Sequence, residues 1–281
     1  MENKYQDFDF SKDSGDAKFR EELDKAITGD AEAQCMVGCA YYYGYIFDVD
    51  YEKAVYWFAQ AAENGSASGQ SLLGECFYYG RGTESDDTKA LQWWEKSAEQ
   101  GNEYAQNDLG NCYYHGTGVE QDYSQAAYWY EKAAEKGYAG AQYNLALCYL
   151  NGHGVQKDES EALRWYTKSA ENGNDCAQFV VGHYYYYNAR IPEDLKTAEQ
   201  WLEKSAAQGN TDAAGLLDLV RPFKHTLSFI HMRTEPDSDA AESGNEHAQF
   251  VLGNAYFYGE WVEKDYTQAA LWFREAAEKG Y

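Results

Sequence analysis

Residues 102–137 carry two stretches in which apolar positions return with the period of an α-helix. In the first, Ala105, Leu109 and Tyr113 stand at i, i+4 and i+8, one helical face. Gly110 lies beside Leu109 on that face, where a missing side chain lets another backbone approach closely. Gly116-Thr117-Gly118 stops the helix with residues able to take positive φ. Val119 is expected to pack back, and Asp122 is placed to cap the next helix. In the second stretch, Ala126, Trp129, Tyr130, Ala133 and Ala134 fall at i, i+3, i+4, i+7 and i+8. Gly137 ends it. The unit is helix, short loop, helix, turn.

The same unit recurs along the chain. A glycine closes a run of small and charged residues at Gly29, Gly65, Gly101, Gly137, Gly173, Gly209, Gly244 and Gly280, spaced by 36 residues with one interval of 35. Self-similarity at this period signals stacked supersecondary units rather than a domain wrapped around a central pocket. The Leu-Gly pair of the first helix is Leu73-Gly74, Leu109-Gly110 and Leu252-Gly253, with Val37-Gly38, Leu145-Ala146 and Val181-Gly182 as variants. A tryptophan column in the second helix, Trp57, Trp93, Trp129, Trp165, Trp201 and Trp272, is expected to fill the groove between the helices. The predicted organisation is a tail and lead-in helix within 1–28, followed by a solenoid over 29–281. Its repeats fall at about 29–65, 66–101, 102–137, 138–173, 174–209, 210–244 and 245–280, that at 210–244 being degenerate.

The pattern Ala-x-x-x-Leu-Gly-x-x-Tyr-x-x-Gly-x-Gly-Val stands here as Ala105 to Val119. The pattern Lys-Ala-x-x-Trp-x-x-Lys-Ala-Ala-Glu-x-Gly follows it in the second helices, as in Lys89-Ala90 with Trp93 and in Lys132-Ala133-Ala134-Glu135 with Gly137. Together they resemble the Sel1-like repeat, a helix-pair repeat related to tetratricopeptide arrays. The resemblance runs from about Gly29 to the C-terminus. It implies an all-α fold, a right-handed α/α superhelical solenoid, and a role as adaptor or scaffold. Some cysteine-rich bacterial members of that family are linked to β-lactam binding. They carry paired cysteines in each repeat, which this chain lacks, so that activity is not carried over.

Two units depart from the pattern. In the fifth, the Gly-x-Gly loop is replaced by Tyr186-Tyr187-Asn188-Ala189-Arg190-Ile191-Pro192. In the sixth, Pro236 stands in the tryptophan column, where a proline costs about 3 kcal/mol in a helix interior, so that helix must be shifted, shortened or broken. The intervening segment 221–233 is locally basic and reads as a different helix with Pro222 in its first turn. It is either a drifted repeat or a docking point, and the role of 188–236 stays open. The sequence closes at Gly280-Tyr281 without the polar capping helix that arrays normally carry, so an unusually tolerant last helix, a further segment or a contact surface is expected there.

Charge narrows the partners. Lys and Arg number 23 against 47 Asp and Glu, a net of −24. Such a field repels nucleic acid and attracts a basic protein. No apolar run approaches the ~20 residues that span a bilayer, and no secretory leader follows Met1. The six cysteines include Cys76, Cys112 and Cys148 in one column. Equivalent positions in stacked helices lie about 8–10 Å apart, too far for a disulfide, which needs roughly 7 Å or less. Free thiols as core fillers and a cytoplasmic address are expected.

Little here suggests chemistry. The six histidines are scattered, and neither Ser-x-x-Lys, GxGxxG nor a Walker loop occurs. Cys35 and Cys39 stand one helical turn apart with no second pair nearby, so no metal and no cofactor are expected. By analogy with related arrays, the first helices line the concave side. Their non-core face follows the spacing 107, 111, 114 and is rich in aromatics. Tyr42, Tyr78, Tyr114, Tyr143, Phe179, His183, Tyr186 and Phe257 are its candidate partner-binding residues. Either they form a groove for a protein or peptide, or neighbouring helices bury them. The expected function is non-enzymatic protein–protein interaction as an adaptor or scaffold. The alternatives are an immunity-type inhibitor that masks a basic protein and a β-lactam-binding hydrolase.

Overall fold

A computed structural model of the protein describes residues 17–188, 192–218, 220, 236–258, 262, 263 and 265–278. All regular structure among these is helical. In order the helices are α1 (Ala17–Ile27), α2 (Ala31–Tyr43), α3 (Tyr51–Glu63), α4 (Ala67–Tyr79), α5 (Asp87–Glu99), α6 (Glu103–His115), α7 (Tyr123–Glu135), α8 (Ala139–Asn151), α9 (Glu159–Glu171), α10 (Asp175–Tyr187), α11 (Pro192–Ala207), α12 (211–218), α13 (Ser238–Glu242), α14 (Glu246–Tyr258) and α15 (Tyr266–Glu278). The chain divides into two compact units, Met1–Val181 and Gly182–Tyr281. In the first, α2 pairs with α3, α4 with α5, α6 with α7 and α8 with α9, and the second helix of each hairpin packs on the first helix of the next. In the second unit, α14 pairs with α15 and α13 packs on α14. The fold is an all-α solenoid of helix-turn-helix repeats.

Local chemistry sets the helix ends. Asp30, Ser66 and Asn102 accept from the backbone N–H three residues on, and Asp50, Asp86, Asp122 and Asp158 do the same for the second helices. Gly44, Gly80, Gly116 and Gly152 close the first helices in the left-handed conformation. The second glycine of the Gly-x-Gly loop has a different duty. At Gly118 φ is +70°, and a Cβ there would stand 2.8 Å from the Asp87 carbonyl oxygen of the preceding repeat. The loop can therefore press on its neighbour only without a side chain. The first repeat follows α1, and its loop reads Gly44-Tyr45-Ile46.

In the hairpins of Gly38, Gly74, Gly110 and Gly253 the glycine of the first helix receives a ring, and Gly182 receives Leu202 instead. A Cβ on Gly74 would lie 2.7 Å from the Trp94 indole, and one on Gly110 would lie 2.6 Å from the Tyr130 ring. The groove-filling column is thus Phe58, Trp94, Tyr130 and Tyr166, all buried. This corrects the expectation drawn from the tryptophans, which stand one residue earlier. Trp57 and Trp165 are buried, but Trp93 and Trp129 are only half-buried. Lys96 and Lys168 lie 4.1 and 4.3 Å from the ring centres of Trp93 and Trp165. Positions i+3 and i+4 share a helical stripe, but it is the second of them that points at the glycine. Cys76, Cys112 and Cys148 are free and buried, and burial pushes their thiols up to about 12, which keeps them neutral and unreactive.

In the second unit Pro236 precedes Asp237, which caps the five-residue helix α13. That helix is shortened, as a proline in its path requires. The segment 221–233 and the loop change at 189–191 lie outside the described residues.

The joints between hairpins hold a ladder of glutamines, which apolar periodicity does not register. Gln34, Gln70, Gln106 and Gln142 are buried, and each donates Nε2 to the carbonyl eight residues earlier: Ala26 at 3.0 Å, Ala62 at 3.2 Å, Ala98 at 3.1 Å and Ala134 at 3.0 Å. Those carbonyls close the preceding helix and accept a first bond from the N–H of the turn glycine three residues on, so the glutamine is their second donor. Gln178 and Gln249 repeat the bond to Ala170 and Ala241. The glutamine Oε1 accepts in turn from a C-cap side chain: Asn64 for Gln34, Gln100 for Gln70 and Asn172 for Gln142. At the third joint this position is Lys136, which donates to the Gly101 carbonyl instead and leaves Gln106 Oε1 buried without a partner among the described residues. Gln249 Oε1 is in the same condition, and the sequence has Lys279 at the matching position.

Lys136→Asn should restore the acceptor's donor and raise stability by about 1 kcal/mol, read as a higher urea midpoint at unchanged slope. Gly110→Ala should overpack the Tyr130 contact and lower stability by roughly 1–3 kcal/mol in the same assay.

Candidate functional site

A cleft of about 790 Å³ opens in the first unit between α4, α6 and the start of α8. Its α4 wall carries Ser71, Leu72, Glu75, Tyr78 and Tyr79, with Trp94 of α5 behind them and Tyr43 of α2 at one end. The α6 wall carries Tyr104, Asp108, Asn111, Cys112 and His115, and the Thr117 loop adjoins it. Tyr138 closes the far side.

Tyr138 is there because a rule of the array is broken. The residue before a first helix is a capping Asp, Ser or Asn at 30, 66, 102 and 174, with its side-chain bond in place. Tyr138 occupies that position before α8 and makes no side-chain cap bond. Losing such a cap costs about 1 kcal/mol. The ring instead meets Tyr104 edge-on, with centroids 5.1 Å apart. Gly140 leaves room for it, since a Cβ there would lie 3.1 Å from the Tyr138 ring.

Asp108 is the second departure. The matching positions in the neighbouring first helices are Leu72 and Asn144. Asp108 is half-buried between the walls, and desolvation there pushes its carboxyl up to about 6; the Asn107 amide, 3.4 Å away, opposes that shift and the charge of Glu75 adds to it. No lysine or arginine lines the cleft. Glu75, in contrast, pairs with Arg81 at 3.4 Å and accepts from the Tyr42 hydroxyl at 2.7 Å. The cleft therefore presents Tyr43, Tyr78, Tyr79, Trp94, Tyr104 and Tyr138 around carboxylates of which one has only neutral partners. Such a surface is suited to holding a ligand by contact and charge.

Of the residues expected from sequence, Tyr78 lines this cleft, 38% exposed and 5.5 Å from the Trp94 ring. Tyr42 is buried against Tyr51 and Phe58. Tyr114 is half-buried, its hydroxyl 2.9 Å from His153 Nδ1 and its ring against Tyr123. Tyr143 is half-buried edge-on to Tyr166, and Phe179 is half-buried in α10. In the second unit, His183 is exposed beside Tyr187, and Tyr186 is half-buried. The Phe257 side chain lies outside the described residues. The cause is a rotation of the face. Spacing 107, 111, 114 falls on the seam between successive first helices, where Asn144 donates to Asn107 at 3.0 Å. The open face of α6 follows 104, 108, 111 and 115 instead. The signal that finds it is the pair of breaks at Tyr138 and Asp108, visible once the repeats are stacked. Cys35 is buried and Cys39 half-buried, and among the described residues no group of three or more metal-binding side chains occurs. No helix of the described residues is long and apolar enough to cross a membrane.

Comparison with known proteins agrees with this architecture. The Sel1 repeat profile matches residues 31–66, 67–102, 103–138, 139–174, 177–210 and 246–281. A protective antigen present in uropathogenic Escherichia coli strains, displaying an SLR fold, is 32% identical with a TM-score of 0.56; the match covers 94% of this chain and 64% of that one, so this chain spans less than two thirds of its length. A Sel1 repeat protein from Oxalobacter formigenes is 26% identical with a TM-score of 0.63, over 93% of this chain and 95% of that one. No curated protein matches the sequence significantly. With six copies of the repeat across most of its length, the chain belongs to the Sel1 repeat family.

Proposed function

We propose that this protein is a non-catalytic adaptor that grips a segment of a partner protein in the cleft between α4 and α6. The observation that carries this reading is Tyr138. A helix cap is given up at that position alone among the described first helices of the first unit, and the side chain gained is a ring on the cleft wall. Asp108 adds a second local cost, since a desolvated carboxylate without a cation is unfavourable for folding. Costs of this kind persist where a site needs them. Tyrosine and tryptophan supply contact area with a polar tip at little entropic cost, as binding surfaces use them. Sel1 repeats are in general a protein-interaction fold, which supports the class. The net charge of −24 fits a basic partner. An inhibitor that masks a basic enzyme would use the same cleft, and the identity of the captured protein separates that case from a scaffold.

A photo-cross-linking residue at position 104 should capture a defined polypeptide segment, identified by mass spectrometry, whereas the same residue at exposed position 27 should not. Equal capture at both positions, or none at 104, removes the reading. Asp108→Asn should raise stability at pH 7.5 by about 1–3 kcal/mol. The sign follows from linkage: with its folded value above its unfolded one, Asp108 binds more protons in the native state between about pH 4 and 6. Wild-type stability therefore declines as pH rises through that window, and the difference between variant and wild type should vanish near pH 4 in urea titrations.

A further inference from the structure

One loop position, at 81, 117 and 153 in three successive repeats, decides whether the space beneath it is filled. In Gly80-Arg81-Gly82 the middle residue folds back over the preceding repeat. Its guanidinium pairs with Glu75 at 3.4 Å, donates to the Tyr42 hydroxyl, and lies 4.8 Å from the Tyr79 ring centre and 5.5 Å from that of Tyr42. Two repeats later the middle residue of Gly152-His153-Gly154 does the same work. Its imidazole stacks on Tyr123 at 4.4 Å and meets the Tyr114 hydroxyl at 2.9 Å. Between them, at the matching position, stands Thr117, which is too short to reach back. The residues that match the Arg81 surroundings one repeat on are Tyr78 for Tyr42, Asn111 for Glu75, His115 for Tyr79 and Asp87 for Tyr51, and the first three line the cleft. The cleft is thus the space that Arg81 fills in one joint and His153 in another.

The charge in this space is also distinctive. At the arginine-filled joint the carboxylate is Glu75, already paired. At the open joint Asn111 is neutral, and the acid is supplied by Asp108 from one turn earlier, with no lysine or arginine among the lining residues. A carboxylate flanked by Tyr78, Tyr104 and Tyr138 matches the guanidinium group, which stacks on rings and bonds a carboxylate with planar geometry.

We propose that the cleft receives an arginine side chain of a partner protein, seated beneath the Thr117 loop where Arg81 sits one repeat earlier, and paired with Asp108. This rests on the cleft being the partner-binding site, as read above. The arginine is the anchor of a longer segment, and the remaining rings contact its neighbours.

Two substitutions and two small probes test it. The probes are the acetylated, amidated tripeptide Gly-Arg-Gly and its citrulline counterpart, which keeps the shape and loses the charge. They are titrated at about 0.15 M salt, where long-range attraction by the acidic surface is screened, and followed by NMR. The arginine peptide should perturb cleft resonances and bind at least roughly tenfold tighter than the citrulline peptide. Asp108→Asn, itself expected to be more stable than wild type, should weaken the arginine peptide by about tenfold or more. Thr117→Arg should fill the space from within and abolish binding, while Thr117→Val, which leaves it open, should bind as wild type does. Equal affinity for citrulline, no binding of the arginine peptide, or undiminished binding by Thr117→Arg would each overturn the proposal. Cross-linking at position 104 that persists in Thr117→Arg leaves the cleft as the partner site and removes only the arginine. Loss of cross-linking at 104 in the wild type removes both.

Discussion

Helix ends are the constraint on which this structure depends. Each hairpin brings a helix C-terminus against the start of the next first helix, and the last carbonyls there have no donor within their own helix. The N–H of the turn glycine three residues on gives a first donor to Ala26, Ala62, Ala98, Ala134, Ala170 and Ala241. The glutamine following the small residue of the Ala-Gln or Gly-Gln pair gives a second, reaching back eight residues from the next repeat to the same carbonyl. Each of these bonds ties one hairpin to the next, and the same pair of donors recurs at every described joint of the first unit.

Much of this architecture is legible in the sequence, because every repeat is a separate statement of the same local rules. The helix pair, its caps at Asp122 and Gly116, and the glycine–aromatic contact all follow from spacing within a single copy. What spacing does not decide is rotation about the helix axis by one residue. Trp93 and Trp94 both lie on the inner stripe, yet Trp94 meets the glycine and Trp93 lies partly open under Lys96. The same ambiguity set the expected face of α6 at 107, 111 and 114, on the seam with α8, while 104, 108, 111 and 115 line the cleft. Tyr42 and Tyr114 show the consequence, since both are taken up by contacts between repeats. A pattern of apolar residues specifies a face to within about one position, and a seam and a groove differ by no more than that.

The residues that mark the cleft are legible by another route. Tyr138, Asp108 and Thr117 are each unremarkable alone, and each differs from its neighbours when the copies are superimposed. All three lie around one joint, where a lost cap, a carboxylate and a short loop residue converge on one volume.

That convergence has a physical basis in the way a solenoid distributes its stability. Each repeat depends on its own packing and on its two neighbours, so a local cost is not propagated along the chain. A compact domain that opened a cleft of this size in its core would lose contacts throughout. Here the opening requires only that one loop residue be short, because the glutamine bonds on either side, Gln70 to Ala62 and Gln106 to Ala98, do not pass through it. The joint keeps its backbone connections while its side-chain filling is removed. A binding site can therefore arise by subtraction of a plug, with the surrounding rings and helix spacing already supplied by the repeat. The carboxylate then needs only one further substitution, at a position where the adjoining repeats hold a leucine and an asparagine.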